Sequence, residues 1–191
     1  NPLILFRFLK QYFIYNNKLK KILDPEIKKY FQNNPANHLD ISKYLWIEVW
    51  VFENLARFYK IGLQKTTGLK VLDLSTGYGY FPYLCNVLGH KAEGTDLNQS
   101  QNNLYERITK KLNVKVKPLK IKKFKSFSFN QKYDVITSFM ICFNQHKNPE
   151  LWHIDEWDFF LKNINEFLNK NGFLVLSFNA ESIEAVSYTH L

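Results

Sequence analysis

Lys70-Val71-Leu72-Asp73-Leu74-Ser75-Thr76-Gly77-Tyr78-Gly79-Tyr80-Phe81 is the stretch that decides how this chain folds. Its first half is a short run of aliphatic and β-branched residues. Its second half holds two glycines and passes into a helix-compatible segment. That order reads as a buried strand, a tight turn and the start of a helix. Gly77 and Gly79 carry no Cβ, so the backbone there can take positive φ and let a ligand approach main-chain N–H groups.

The next acidic strand end sharpens the reading. Lys91-Ala92-Glu93-Gly94-Thr95-Asp96-Leu97 predicts a second strand with Asp96 at its carboxyl end. It lies about twenty residues past the glycines, where an acid can accept bonds from ribose hydroxyls. The plainer alternative is an exposed strand-end acid. In the dinucleotide fingerprint a third glycine follows the second by three residues, and here that position is Pro82, which weakens a nicotinamide-type reading.

The run Asp73-x-Ser75-x-Gly77-x-Gly79 instead resembles motif I of the class I, Rossmann-like S-adenosylmethionine-dependent methyltransferases, usually Asp-x-Gly-x-Gly-x-Gly. Ser75 stands where that family has its first glycine. Lys132-Tyr133-Asp134-Val135-Ile136 resembles the family's motif IV. Leu168-Asn169-Lys170-Asn171-Gly172-Phe173-Leu174 resembles its Leu-x-Pro-Gly-Gly-x-Leu, with Lys170 and Asn171 replacing Pro and Gly. The resemblance runs from Lys70 to about Asn179.

Composition sets the frame. The chain has 191 residues, 46% of them hydrophobic and 17% aromatic, enough for a packed core. Cys85 and Cys142 sit in apolar surroundings without metal-ligand spacing, so a reduced, cytoplasmic protein without a metal site is expected. No apolar run is long enough to cross a bilayer, and Leu3-Ile4-Leu5-Phe6 is cut by Arg7 and Lys10 rather than forming a signal peptide's centre. The net charge of +9 allows a nucleic-acid or membrane surface. Against that, lysine is abundant throughout, and the densest basic run, Lys115 to Lys125, alternates with Val116, Leu119, Ile121 and Phe124 like a solvated sheet edge.

Along the chain, residues 1–34 read as helix, with Leu5, Phe6, Leu9, Phe13 and Ile14 at helical spacing and a break at Asp24-Pro25. A second helix is expected from about Ile41 to Lys60, carrying Leu45, Val49, Phe52, Leu55 and Phe58. Beyond the glycine turn the pattern predicts a helix from Tyr80 to Leu88 ended by Gly89, a helix over Ser100–Leu112 and a strand over Val114–Val116. It then predicts a strand over Tyr133–Phe139, a helix over Ile154–Leu168, a turn at Asn171-Gly172 and a strand over Phe173–Phe178. Strand and helix alternate, so the expected fold class is α/β: a doubly wound, mostly parallel sheet with an N-terminal helical cap. The expected division is a cap over residues 1–65 and a Rossmann-like core over 66–186. Residues 187–191 read as a non-native tail. The family usually has seven strands and this pattern reaches five, which suggests a C-terminally truncated fragment.

The resemblance implies a methyltransferase using S-adenosyl-L-methionine. Asp73 would order the glycine loop and approach the methionine ammonium through water. Gly77, Gly79 and the backbone around Ser75 would line the methionine part. Asp96 would take the ribose hydroxyls and Leu97 the adenine, with Ser138 at the end of the fourth strand nearby. Many relatives carry an acid after strand three for the adenine amino group, but Leu119 to Phe124 offers none. Methyl transfer from a sulfonium requires in-line positioning more than an acid or base, so catalytic residues need not be visible. Asn144 and His146, after strand four, are candidates to orient or deprotonate an acceptor, against the plainer view of ordinary loop residues. Tyr44, Trp46, Trp50 and Arg57 are candidates for the acceptor pocket or simply core aromatics and a surface arginine. The acceptor, small molecule or macromolecule, is open at this stage. The alternatives are a non-catalytic nucleotide-binding module and an NAD-type oxidoreductase.

Overall fold

A computed structural model describes residues 2–33, 45–97, 104–141, 143 and 152–178. Cys142, Asn144 and His146, Tyr44, and the residues from 179 onward, including the expected tail, lie outside the described residues.

Five strands form one sheet: β1 (Lys70–Leu74), β2 (Lys91–Asp96), β3 (Val116–Pro118), β4 (Tyr133–Phe139) and β5 (Leu168–Ser177), in the order β3-β2-β1-β4-β5. Every neighbouring pair is parallel, with Asp73 opposite Gly94 on one side and Thr137 on the other. The expected α/β class with a doubly wound, parallel sheet is found. Because β2 and β3 lie on one side of β1 and β4 and β5 on the other, the strand order reverses at β1, and the carboxyl ends of β1 and β4 flank the switch point at which open α/β sheets hold ligands.

Side chains alternate across the sheet as period two requires. Leu72, Leu74 and Ile136 pack on one face against Phe160 and Ile164 of helix α5 (Ile154–Glu166). Val71, Ala92 and Val135 pack on the other, against Phe81 and Cys85 of α3 (Tyr80–Val87) and Phe58 of α2 (Ile47–Lys60). Further out, Leu19, Leu23 and Tyr30 of α1 (Pro2–Asn33) share a core with Val51 and Leu55 of α2, Leu84 of α3, and Leu104 and Ile108 of α4 (Leu104–Lys111).

The helix ends follow local chemistry. Gly89, at φ +98, closes α3 in the left-handed conformation, with the His90 N–H bonded to the Cys85 carbonyl. Asn113, at φ +53, does the same after α4, its N–H reaching the Lys110 carbonyl while that of Val114 reaches Thr109. This motif consumes Val114, so β3 begins at Val116 rather than at the expected Val114.

Three other expectations are corrected. The break at Asp24-Pro25 is absent, and α1 runs unbroken through Pro25. A proline there costs about 3 kcal/mol in isolation, but buried Leu19 and Leu23 before it and buried Tyr30 after it hold both halves to one core. Glu26, the next residue, also meets Arg107 at 2.6 Å and Lys111 at 3.2 Å. The turn at Asn171-Gly172 is absorbed into β5 as a bulge: β5 takes five residue steps, Leu168 to Phe173, where β4 takes two, Tyr133 to Val135. Finally, only Val116–Pro118 of the basic run is strand; Leu119 and Ile121 instead pack toward the core of the α5 face.

Candidate functional site

The carboxyl ends of β1 and β2 are tied together by the glycine loop. The Thr76 N–H donates to the Thr95 carbonyl at 2.8 Å, and the Gly79 N–H closes a turn onto the Thr76 carbonyl at 3.0 Å. The Gly77 N–H donates to Asp96 Oδ2 at 2.5 Å, and the Leu97 N–H to Asp96 Oδ1 at 2.7 Å. The acid and the glycine that the sequence sets nineteen residues apart are therefore in direct contact. Each Asp96 oxygen accepts one backbone bond and keeps a further lone pair for a hydroxyl donor. Burial raises the Asp96 carboxyl above its ordinary range, and the two backbone donors oppose that rise.

The two glycines differ. At Gly77, φ +55, an added Cβ would meet, among the described residues, only the Tyr105 ring, at 3.8 Å. At Gly79, φ +77, it would meet Thr109 Cγ2 at 3.1 Å and Val114 Cγ1 at 3.3 Å. Gly79 lets the loop lie close on α4, while Gly77 keeps main chain accessible. Ser75, in the family's first glycine position, also adopts positive φ, +54. The sequence carries a serine where the backbone conformation favours glycine.

Asp73 is buried at the end of β1, where Thr137 Oγ1 donates to its Oδ1 at 2.7 Å. Burial pushes its carboxyl up to about 6 against the pull of the Thr137 and Thr76 hydroxyls and the Arg57 charge, while the Asp96 charge adds to the rise. Arg57 reaches this end of the sheet from α2. Its guanidinium carbon lies 4.7 Å from the centroid of the ring of Phe139, the last residue of β4, and Nη1 donates to Asn54 Oδ1 at 3.0 Å. Burial lowers the Arg57 pKa, with the Asp73 and Glu53 charges acting the other way. Trp46 is exposed and Trp50 half-buried against the helical core.

Ser138 is buried on β4 in register with Leu74, and Leu97 is exposed next to Asp96. Motif IV's Asp134 is at the opposite end of the sheet. It accepts from the Lys70 N–H at 2.8 Å and from Asn169 Nδ2 at 2.6 Å, so it fastens the start of β1 to the β5 bulge.

Two residues of the site region escaped the sequence reading. A Cβ on Gly94 of β2 would come within 2.5 Å of Thr76 Cγ2, so this glycine is what lets the loop lie flush on the neighbouring strand. A glycine inside a strand pattern was the available signal. Tyr105 of α4 stacks on Tyr78 with ring centroids 4.3 Å apart and planes 17° from parallel. No sequence pattern marks that pair. Of the basic run, Lys115 and Lys117 turn to Glu93 and Lys123 to Glu156.

A family model described as a methyltransferase domain matches residues 15–190. No curated protein matches the sequence. Among solved structures, Streptomyces venezuelae DesVI is similar at 14% identity and a TM-score of 0.56, over 78% of this chain and 61% of that one. SAM-bound CalS10, an amino pentose methyltransferase from Micromonospora echinaspora involved in calicheamicin biosynthesis, is similar at 18% identity and a TM-score of 0.52, over 68% of this chain and 51% of that one. At these identities the likeness is one of fold, and this chain spans about half the length of the solved structures it resembles, 51% in the case of CalS10.

Proposed function

The chain belongs to the methyltransferase-domain family, and from that membership we propose that it binds S-adenosyl-L-methionine where β1 and β2 end and transfers the methyl group to a small-molecule or macromolecular acceptor. The observation that carries the reading is the bond from the Gly77 N–H to Asp96, beside a face of Gly77 that, among the described residues, only the Tyr105 ring approaches. The residues fit the cofactor part by part. Asp96 has lone pairs left for two ribose hydroxyls, and exposed Leu97 offers apolar surface to the adenine. Gly77 and the main chain at Ser75 border the methionine part, with Gly79 shaping the turn and Ser138 on the adjoining strand.

Asp73 and Arg57 place opposite charges near one another at the same sheet end. A zwitterionic amino-acid head group needs that pair, an acid for its ammonium and a guanidinium for its carboxylate. When bound, the sulfonium supplies an activated methyl group. The chain's contribution is to fix its direction and exclude competing water. The expected cap over residues 1–65 is assigned to this end of the sheet, supported by the reach of Arg57 from α2 to Phe139.

Calorimetry with S-adenosylmethionine, S-adenosylhomocysteine and NAD tests the proposal. Binding of both sulfur nucleosides is expected. Heat with NAD alone would overturn it in favour of an oxidoreductase. Binding of the nucleosides without methyl transfer to any acceptor would favour a non-catalytic module, the reading toward which the strained Ser75 points.

A further inference from the structure

We propose that the first half of α1, with the neighbouring face of α2, docks this protein onto an anionic lipid surface. Residues 2–21 of α1 present three faces. Phe8, Tyr12, Tyr15 and Leu19 turn inward to the helical core. Beside them Leu5, Leu9 and Phe13, spaced four apart and so stacked on one stripe, are exposed at 59%, 41% and 60%, with Phe6 at 69%. Arg7, Lys10, Lys18 and Lys21 follow at steps of three, eight and three residues on the third face, all exposed.

The apolar stripe continues onto α2. Tyr12 meets both Phe13, at 5.3 Å between centroids, and Phe52, at 5.8 Å, and Phe52 is itself exposed together with Val49 and Trp46.

Charge selects the occupant. Residues 2–23 hold five Lys or Arg and no acid; on α2, Glu48 is paired with Lys20, and the exposed Glu53 is offset by the Arg57 charge on the same helix. A helix with aromatic and aliphatic residues along one side and a ladder of Lys and Arg along the next matches the boundary between acyl chains and anionic headgroups. It lies along that boundary rather than through it, since no described helix is long and apolar enough to cross a membrane.

Flotation with vesicles tests this directly. The chain is expected to float with vesicles of phosphatidylcholine and phosphatidylglycerol in equal amounts, and to float far less with phosphatidylcholine alone or at high salt. Phe6→Ser combined with Phe13→Ser, both at exposed positions, should lower binding by about tenfold or more with the melting temperature unchanged. Arg7→Glu with Lys10→Glu should remove the preference for anionic vesicles. The proposal is overturned if the parent chain ignores anionic vesicles, or if the Phe6/Phe13 variant binds them as well as the parent. It is also overturned if sedimentation shows a dimer that depends on Phe6 and vesicles compete for nothing, which would make the occupant a second copy.

Discussion

The main-chain N–H of Gly77 and the carboxylate of Asp96 are joined at 2.5 Å, so the loop after β1 and the end of β2 behave as one unit. Removing the acid therefore has two consequences. Asp96→Ala should weaken binding of S-adenosylmethionine by about 1–3 kcal/mol, because the hydroxyl acceptors are lost and the Gly77 loop is no longer held. Asp96→Asn keeps one acceptor oxygen and should fall between the parent and Asp96→Ala. Calorimetry on the three proteins gives the order, and equal affinities across the set would remove Asp96 from the site.

Gly94 tests whether loop position depends on β2. A methyl group at Gly94 would sit 2.5 Å from Thr76 Cγ2 and 2.8 Å from Thr76 Cβ. Cγ2 can turn about χ1, but Cβ moves only with the main chain, which the Thr76 N–H bond to the Thr95 carbonyl holds. Gly94→Ala should destabilise the protein by about 1–3 kcal/mol in urea unfolding, the usual cost of overpacking. Adding Thr76→Ser removes Cγ2 and should restore part of that loss. A Gly94→Ala protein as stable as the parent would mean that the loop lies further from β2.

How legible these features were depends on whether a local pattern or a distant neighbour decides them. The β1 run, the glycines and Asp96 declare themselves because strand, turn and strand-end acid each carry a nearby signature, and parallel pairing then forces them together. The Schellman close at Gly89 was equally readable. Pro25 was misread because its local preference was overridden by burial on both sides, which no short window contains. The bulge at Asn169–Gly172 looked like a turn because the same residue types serve both, and only pairing with Tyr133 and Val135 distinguishes them. The apolar stripe Leu5, Leu9, Phe13 was visible as a helix. That a different stripe, through Phe8, Tyr12 and Tyr15, faces the core was not, because α1 is apolar on more than one side. Arg57 could be nominated from its place before β1, but its position over Phe139 is a product of helix packing.

With Asp73 beside the methionine ammonium, as proposed, cofactor affinity should depend on pH. Its carboxyl rises from 3.8 to about 6, with burial the largest cause. Between those values the folded state holds the proton more tightly than the unfolded state, so this group lowers stability as pH rises through the window. Asp73→Asn should flatten that part of the stability profile. Ligand binding should run the opposite way, since a cationic ammonium favours the ionised acid. Affinity is expected to rise by up to about tenfold per pH unit toward about 6 and then level off. Calorimetry near pH 5.5 in two buffers of different ionisation heat should detect release of a proton on binding. No release, with flat affinity, would separate Asp73 from the ligand.

Glu93 supplies a control away from the proposed ligand. It is buried on β2 and accepts from the Tyr133 hydroxyl, from Lys117 Nζ at 2.9 Å and from Gln131 Nε2 at 3.2 Å. Burial raises its carboxyl, but these donors and the Lys117 charge together outweigh burial and hold it below the ordinary value. A depressed carboxyl contributes stability that is present above its unfolded pKa and lost as pH falls through the folded one. The contribution should therefore be lost as pH falls below the ordinary Glu value of 4.5, opposite in sign to that of Asp73. Glu93→Ala leaves the buried Tyr133 hydroxyl without its acceptor and should cost about 2–3 kcal/mol at neutral pH. Glu93→Gln retains an acceptor and should cost less, while abolishing the acid-range dependence. Because Glu93 lies opposite Leu72, one step before the Asp73 level of the sheet, neither change should alter cofactor affinity by more than about twofold at temperatures where the variants remain folded. Urea unfolding across pH, paired with calorimetry, separates the two effects. A large loss of affinity in Glu93→Gln would mean that the Glu93 network and the glycine loop are coupled through β2.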